Sequence, residues 1–210
     1  MIRLIIFDFS GTLAYYDTSE YHEIFNKLRE FNLPVKEGRD GKELANELTE
    51  YFSVCENWDD LVNKITQKLG IVLEADRRES LAAYLERKMT CRLFEDAQEV
   101  LTLPQDKAIL TLSGKFVIDS IPELSHFEVF SPKIAGAAKP EFKAFLAVLD
   151  KMGVDPEEAV MVGDSLESDI LPARAIGMKA VLIDREGKAG DSGDKEIAVI
   201  KSLKELKRFL

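Results

Sequence analysis

The sequence is poor in cysteine and has no long apolar run, and each shortage excludes a class of protein. Only two cysteines, Cys55 and Cys91, occur among 210 residues. They are too few to form a zinc site alone, and we interpret both as buried thiols on helices in a reducing compartment. No apolar run approaches the roughly 18–20 residues of a membrane helix, and the opening run stops at Asp8, too early for a signal peptide. We therefore expect a cytoplasmic protein with no membrane partner.

Basic charge is also scarce. The chain has 28 Lys and Arg against 38 Asp and Glu, a net charge of −10 at pH 7. Binding to a nucleic-acid backbone requires a basic surface, so we expect no nucleic-acid partner. A small anionic substrate remains compatible with this charge, because one basic pocket or a bound metal ion can outweigh a negative surface.

What the sequence does contain is an alternation of strand-like and helical patterns. Hydrophobic residues make up 46% of the chain, which excludes wholesale disorder. The alternation predicts an α/β fold, a Rossmann-like doubly wound parallel sheet. The predicted strands are 3–7, 107–112, 127–130, 159–162, 179–183 and 197–200, and the predicted helices are 141–152, 171–177 and 201–210. The helix over 141–152 is predicted to turn Phe142, Phe145, Leu146 and Leu149 toward one face.

A long helical stretch interrupts this alternation between about residues 18 and 92. Four apolar stripes recur at spacings of three and four residues, beginning at Tyr21, Leu44, Leu61 and Leu81. They predict a four-helix insertion without a strand. The expected organisation is a discontinuous core of residues 1–16 and 93–210, with a helical cap of residues 17–92.

Polar residues follow three of the predicted strands. Asp8, Ser10 and Gly11 come after the first, Thr111 with Ser113 and Gly114 after the second, and Asp164 with Asp169 after the strand that ends at Val162. Lys139 and Pro140 directly precede the predicted helix over 141–152. Each motif alone is explained as a turn or a helix cap. Ligands of open α/β sheets, however, bind beyond the carboxyl ends of the strands, so the conjunction indicates one site.

This order of motifs resembles the haloacid dehalogenase-like (HAD) superfamily, in its phosphatase-like branch with a helical cap between the first and second motifs. The quoted residues are Asp8 to Leu13, Thr111, Lys139-Pro140 and Gly163-Asp164 through Asp169. The resemblance spans the whole chain and implies a Mg2+-dependent hydrolase, a phosphoric monoester phosphatase acting on a small phosphorylated metabolite.

The chemistry of phosphoryl transfer assigns a role to each residue. Asp8 would attack phosphorus, and Asp8, Asp164 and the Ser10 backbone carbonyl would bind Mg2+, with Asp169 holding a metal-bound water. Thr111 and Lys139 would bind the phosphoryl oxygens. Backbone N–H groups of the loop after Asp8, at Ser10 and Gly11, and those of Ser113 and Gly114 are further candidate donors to the substrate.

Ser10 departs from the family pattern, which usually has Asp two residues after the nucleophile as the general acid and base. General acid–base catalysis contributes about 10²–10⁴-fold, so Ser10 implies a slow phosphatase, a preference for good leaving groups, or a base from elsewhere. His22, Glu20 and Glu23 are conceivable bases, although all three are more simply explained as solvated helix residues.

Three alternatives stay open. A dehalogenase lacks the second Asp, but that branch also lacks carboxylates like Asp164 and Asp169. A phosphonate hydrolase would need a cap lysine, for which Lys27, Lys36 and Lys42 are candidates. A binding module without turnover would need Thr111 and Lys139 but not Asp8. Tyr15, Tyr16 and Trp58 could stack on an organic group or pack in the core, and the sequence does not identify the substrate.

Overall fold

The structure, a computed structural model, describes residues 1–16, 21–33, 51, 53–89, 91–187 and 197–210. Its eight strands are β1 (Leu4–Phe7), β2 (Ala14–Tyr16), β3 (Cys91–Leu93), β4 (Asp106–Leu110), β5 (Glu128–Phe130), β6 (Ala159–Gly163), β7 (Lys179–Ile183) and β8 (Ala198–Ile200). Six of them form one parallel sheet in the order β5, β4, β1, β6, β7, β8. This confirms the predicted α/β, Rossmann-like fold.

Helices cover both faces of this sheet and make up most of the described insertion. The α-helices are α1 (Tyr21–Glu30), α2 (Trp58–Lys68), α3 (Ala75–Lys88), α4 (Gln98–Leu101), α5 (Lys115–Ile118), α6 (Pro132–Ala135), α7 (Phe142–Met152) and α8 (Leu171–Ala175). Short 3-10 helices lie at Glu95–Ala97, Pro122–Leu124, Pro156–Glu158 and Leu203–Phe209, and a π-helical turn at Leu166–Ile170 leads into α8. No described helix combines the length and the apolarity that crossing a bilayer requires.

The central strand β1 is covered on both faces, as its unbroken apolar run predicts. All four of its residues are fully buried. Ile5 and Phe7 belong to one apolar cluster, while Leu4 and Ile6 belong to the cluster beneath α7. Successive side chains of a strand point to opposite faces, so a strand between two helical layers needs apolar residues at every position.

The inward face of α7 differs from the prediction. Ala144, Phe145, Val148 and Leu149 are buried, whereas Phe142 and Leu146 lie outside the buried arc and are 51% and 43% exposed. The smaller Ala144 and Val148 let the helix approach the sheet closely. The prediction from large apolar residues alone is therefore wrong for Phe142 and Leu146, because it did not count the small residues that face the sheet.

A strand, Cys91–Leu93, begins at the end of the predicted insertion, where the helical period concealed it. Ala14–Tyr16 pairs antiparallel with Cys91–Leu93, with Ala14 opposite Leu93 and Tyr16 opposite Cys91. The prediction of an insertion without strands is therefore wrong, and so is the placement of both cysteines on helices, since Cys91 begins β3 and Cys55 lies in the segment before α2. A strand of three residues is too short to show the alternation of apolar and polar side chains, so only its pairing with another strand reveals it.

The remaining differences concern element ends. The strand predicted over 107–112 ends at Leu110 because Thr111 to Ser113 form a turn, and the terminal helix is a 3-10 helix.

The apolar positions Ile24, Leu28, Leu61, Leu81 and Leu85 are buried as predicted. Most of the stripe that begins at Leu44 lies outside the described residues, although its last position, Cys55, is described and buried. The division at residues 16/17 and 92/93 stays a prediction.

Candidate active site

Sheet register places the polar motifs at a common edge. Phe7, the last residue of β1, pairs with Ile109 of β4 on one side and with Val162 of β6 on the other. Asp8 follows immediately, and its N–H donates to the Val162 carbonyl at 2.8 Å. Because the three strands are parallel and in step, the residues after each strand end lie side by side beyond the same edge.

Lys139 is a buried cation at this edge and contacts two carboxylates. Its Nζ donates to Asp8 Oδ1 at 2.5 Å and to Asp169 Oδ1 at 2.6 Å, and all three residues are buried. Burial alone would lower the pKa of Lys139, but the negative charges of Asp8 and Asp169 outweigh it and raise that pKa above its ordinary value. The side chain is therefore an ammonium ion at any physiological pH.

Three carboxylates face this one ammonium. Asp8, Asp164 and Asp169 each place an oxygen within 4.8 Å of the others. Desolvation and the charges of Asp8 and Asp169 raise the pKa of Asp164 to about 6. Desolvation and the charge of Asp8 also raise the pKa of Asp169, although Lys139 opposes them. The site therefore carries more negative charge than its own cation balances.

This donor set fits a hard divalent cation. Mg2+ prefers carboxylate and carbonyl oxygens and keeps several of its waters, so few protein ligands suffice. Asp164 is exposed, whereas Asp169 is buried and accepts from both Lys139 and the Ser165 N–H, the latter at 3.1 Å. With both carboxylate oxygens already hydrogen-bonded, Asp169 is less available than Asp164 as a direct ligand.

Two glycines make this close arrangement possible. Gly11 has φ +89°, and a Cβ built on it would lie 2.1 Å from Asp164 Oδ2. A Cβ on Gly163 would lie 2.3 Å from Asp169 Oδ2. Any larger residue at either position would displace a carboxylate, and at Gly11 the left-handed backbone would add strain.

Thr111 is placed to bind an anion through its hydroxyl group. It is buried directly after β4, and its Oγ1 accepts the Ser113 N–H at 2.9 Å. Because this lone pair is already used, the hydroxyl hydrogen is left to donate to a further oxygen. The Ser113 hydroxyl lies 3.1 Å from the Tyr16 hydroxyl.

Two of the predicted backbone donors are already used within the protein. The Gly11 N–H donates to the Ala14 carbonyl at 2.8 Å, and the Ser113 N–H donates to Thr111. Each of these two amides already has a partner within the chain, and their roles as substrate donors stay predictions. Tight turns satisfy their own amides locally, and this cannot be seen from composition. Gly114 stands at the N-cap of α5, and its role as a donor stays a prediction.

Ser10 is exposed beside this edge, and its backbone forms a bridge with Ala14. Of the substitute bases, Glu23 is paired with Lys88 at 2.8 Å, Glu20 lies outside the described residues, and the side chain of His22 is not described. Among the candidate cap lysines, Lys27 is bound to Glu30 at 2.7 Å, while Lys36 and Lys42 lie outside the described residues.

The three aromatic candidates take up packing positions. Trp58 is buried with its ring edge-on to Phe116, 5.1 Å between centroids, so it joins the insertion to α5. Tyr15 packs on Phe94 at 5.0 Å and stays partly exposed. Tyr16 is half-buried beside Ser113.

Sequence reasoning missed Arg185, which follows β7 at the same sheet edge. Its guanidinium donates to the carbonyls of Gly11 and Thr12 and forms an ion pair with Asp96. Arg185 also lines a cavity of about 680 Å³ together with Gly11, Phe94 and Asp164. The signal that would have found it is its position, because Asp184-Arg185 stands directly after a predicted strand, where the other site residues also stand.

Comparison with curated proteins finds phosphatases. A glyceraldehyde 3-phosphate phosphatase of Pyrococcus furiosus is 30% identical over 199 residues, covering 86% of this chain and 80% of that protein. A phospholysine phosphohistidine inorganic pyrophosphate phosphatase of Xenopus laevis is 43% identical over 63 residues, covering 30% of this chain. The chain spans only 22% of the length of that second relative.

Comparison with solved structures shows the same fold. A HAD phosphatase from Thermococcus onnurineus has a TM-score of 0.68 at 24% identity, and a 2-haloacid dehalogenase from Pseudomonas syringae has a TM-score of 0.73 at 22% identity. Each match covers 99% of this chain and 97% of the other. The sequence profile of the haloacid dehalogenase-like hydrolases matches residues 2–177, so the chain belongs to that family, as its motifs predict.

Proposed function

We propose that the protein is a Mg2+-dependent phosphatase that acts on a small phosphorylated metabolite through an aspartyl phosphate at Asp8. The observation that carries this proposal is the contact of Lys139 with Asp8 and Asp169 inside a cluster of three carboxylates. Such a cluster suits a reaction in which a divalent cation binds together with the phosphate, because the cation offsets the excess of carboxylate charge and lowers the repulsion of the phosphate. The phosphatases among its relatives support the same reaction class.

Each of these residues has a separate role in the proposed phosphoryl transfer. Asp8 forms a bond to phosphorus while the bond to the leaving oxygen breaks, which gives an acyl phosphate. Lys139 and the Thr111 hydroxyl donate to the phosphoryl oxygens and stabilise the charge that develops there. Mg2+, held by Asp8, Asp164 and the Ser10 carbonyl, would neutralise phosphate charge when bound. Water then cleaves the acyl phosphate and releases inorganic phosphate, which restores the Asp8 carboxylate.

Ser10 determines which substrates react well. A serine hydroxyl does not protonate a leaving alkoxide as a carboxylic acid does, so the leaving group must depart unaided or take its proton from water. We propose a slow enzyme that favours good leaving groups. Acyl phosphates and aryl phosphates meet this requirement better than alkyl phosphates.

Hydrolysis of p-nitrophenyl phosphate with and without Mg2+ tests the proposal. The leaving group needs no acid, so a Ser10 enzyme should still turn it over. Glyceraldehyde 3-phosphate and phosphoserine, the substrates in the names of relatives, extend the panel as alkyl phosphates. We expect metal-dependent release of phosphate that is lost in Asp8→Asn.

Two experimental outcomes would contradict the proposed phosphatase function. Tight binding of phosphate without turnover of any ester would indicate a binding module. Release of halide from 2-chloropropionate without metal would indicate a dehalogenase, the second candidate, whose fold this chain shares. The carboxylate cluster argues against that candidate, because without a metal ion the single ammonium of Lys139 would face the carboxylates of Asp8, Asp164 and Asp169 together.

A further inference from the structure

The loop that leaves β1 is held in place by residues from distant parts of the chain. Arg185 Nε donates to the Gly11 carbonyl at 3.2 Å, and its Nη2 donates to the Thr12 carbonyl at 2.6 Å. The next carbonyl, that of Leu13, accepts the Phe94 N–H at 3.0 Å. Three successive carbonyls are therefore bonded from outside the loop, and Arg185 accounts for two of them.

Arg185 is itself rigidly held. Asp96 accepts from both terminal nitrogens of the guanidinium at 3.0 Å each, and the guanidinium lies 3.7 Å from the centre of the Phe94 ring. Asp96 also accepts from the Ser202 hydroxyl at 2.7 Å and from the Leu203 N–H at 2.9 Å. A planar fork that pairs with a carboxylate, stacks on a ring and donates to two carbonyls is specific to arginine.

The position of this loop matters for the carboxylates. Gly11 approaches Asp164 so closely that a Cβ would overlap with its carboxylate. Ser10, whose carbonyl is a proposed Mg2+ ligand, is the adjacent residue. A shift of the Gly11 carbonyl would therefore change the spacing between the Ser10 backbone and Asp164, and Mg2+ tolerates little departure from octahedral geometry.

We propose that Arg185 is a positioning residue that sets the spacing between the Ser10–Gly11 backbone and Asp164, and thereby the affinity for Mg2+ and the rate of turnover. This inference rests on the proposed phosphatase function. Arg185 does not contact Lys139 or Thr111, the residues proposed to bind the phosphoryl group, so its role is in the metal geometry and not in substrate affinity.

The test compares Arg185→Met and Arg185→Lys with the matched control Arg3→Met. Arg3 pairs with Glu158 at 2.8 Å at the other end of the sheet, so its loss removes an arginine–carboxylate ion pair at the surface, far from the site. Calorimetric titration with Mg2+ should show at least about tenfold weaker affinity in both Arg185 variants and unchanged affinity in the control. At saturating Mg2+, kcat for p-nitrophenyl phosphate should fall while KM stays within about twofold.

Chemical rescue distinguishes positioning from general damage. Millimolar guanidinium, far below denaturing concentrations, should restore part of the activity and of the Mg2+ affinity to Arg185→Ala, because the ion refills the space between Asp96 and the two carbonyls. The same salt should not rescue Asp8→Asn. Tetramethylammonium, which has no N–H donors, should not rescue Arg185→Ala.

The outcomes separate this inference from the proposed function. Unchanged Mg2+ affinity and kcat in Arg185→Met overturn the inference, as does an equal loss in Arg3→Met. If wild-type protein hydrolyses no phosphate ester but its Mg2+ affinity still depends on Arg185, the proposed function fails and the positioning role in metal binding stands. If wild-type protein does not bind Mg2+ at all, both fail.

Discussion

Two ionic clusters lie at the same sheet edge and differ in their charge balance. Around Lys139, one ammonium faces three carboxylates, and the pKa of Asp164 is raised to about 6. Around Arg185, one guanidinium faces the single carboxylate of Asp96. Burial acts to raise the pKa of Asp96, but the hydrogen bonds from Arg185, Ser202 and Leu203 outweigh it, so that pKa is below its ordinary value.

The difference in charge balance distinguishes the proposed active site from a structural cluster. The Asp96 cluster is complete, because every charge has a partner within the chain, so it stabilises the fold by itself. The Lys139 cluster has an excess of carboxylates, which costs folding energy unless a cation joins them. Functional sites concentrate such unfavourable arrangements, and the directions of the pKa shifts therefore favour the Lys139 cluster as the proposed site of the chemistry.

The largest effect is expected from Asp8→Asn, which removes the proposed nucleophile. An amide cannot form the acyl phosphate, so kcat for p-nitrophenyl phosphate should fall by more than about 10⁴-fold. Asp106→Asn is the matched control, since Asp106 is an exposed aspartate at the start of β4. Turnover near the wild-type rate in Asp8→Asn would assign the nucleophile to another residue.

Ser10→Asp adds a further carboxylic acid beside the Lys139 cluster, and thereby increases its difference from the balanced Asp96 cluster. Turnover of alkyl phosphates should rise by up to roughly 10²–10⁴-fold, while that of p-nitrophenyl phosphate changes much less. Alkoxides need a proton on leaving, whereas p-nitrophenolate does not. The measurement is kcat/KM for both substrates at one pH. An equal gain for both would mean that Ser10 does not stand in place of a general acid.

Lys139→Met should destabilise the fold strongly, because it leaves Asp8 and Asp169 buried without their cation. The free energy of unfolding in metal-free buffer should fall by about 3–5 kcal/mol in urea denaturation. The control is Lys133→Met, at a surface lysine paired with Glu56. Losses of equal size in the two variants would show that the Lys139 contacts contribute no more than a surface ion pair.

Asp96→Asn tests the balanced cluster. At neutral pH we expect a loss of about 2 kcal/mol in the free energy of unfolding, because charge-assisted hydrogen bonds are weakened. Since the pKa of Asp96 is lowered by folding, its stabilisation exists above the unfolded pKa of about 4 and disappears as pH falls below it. The difference between wild type and variant should therefore shrink in acid, and a constant difference from pH 7 to pH 3 would contradict this.

Asp164→Asn should have the smallest effect and the opposite sign. The raised pKa of Asp164 means that ionisation destabilises the metal-free fold as pH rises from about 4 to about 6. Removing the charge should increase the free energy of unfolding at pH 7 by about 1 kcal/mol, a value discounted because the carboxylate is exposed to solvent. With Mg2+ present the order should reverse. A loss of stability without metal would show that the cluster is balanced without a cation.

Much of the fold and of the catalytic cluster was predictable from the sequence. The unbroken apolar run of β1 and the buried runs of β6 and β7 can be recognised locally, because two-sided burial leaves no polar position. Asp8, Thr111, Lys139, Asp164 and Asp169 were predictable as a group, since each stands at a strand end or before a helix and parallel strands bring such ends together. The face of α7 was not, because packing against the sheet selected Ala144 and Val148 over larger residues.

The sequence by itself determined which residues are candidates for phosphoryl transfer and that each follows a strand or precedes a helix, and the alternation of strands and helices implied that parallel strands bring such ends together. The order of the strands in the sheet was decided by the tertiary structure. Only the tertiary structure decided which donors are already used. The Gly11 and Ser113 amides are bonded within their own turns. Arg185 reaches Gly11 across 174 positions of the chain, and Asp96 across 89. Hydrogen bonds and ion pairs of this kind join segments that are distant in the sequence, and no local pattern encodes them. The polar groups of a loop are satisfied by whichever residues the fold brings next to it.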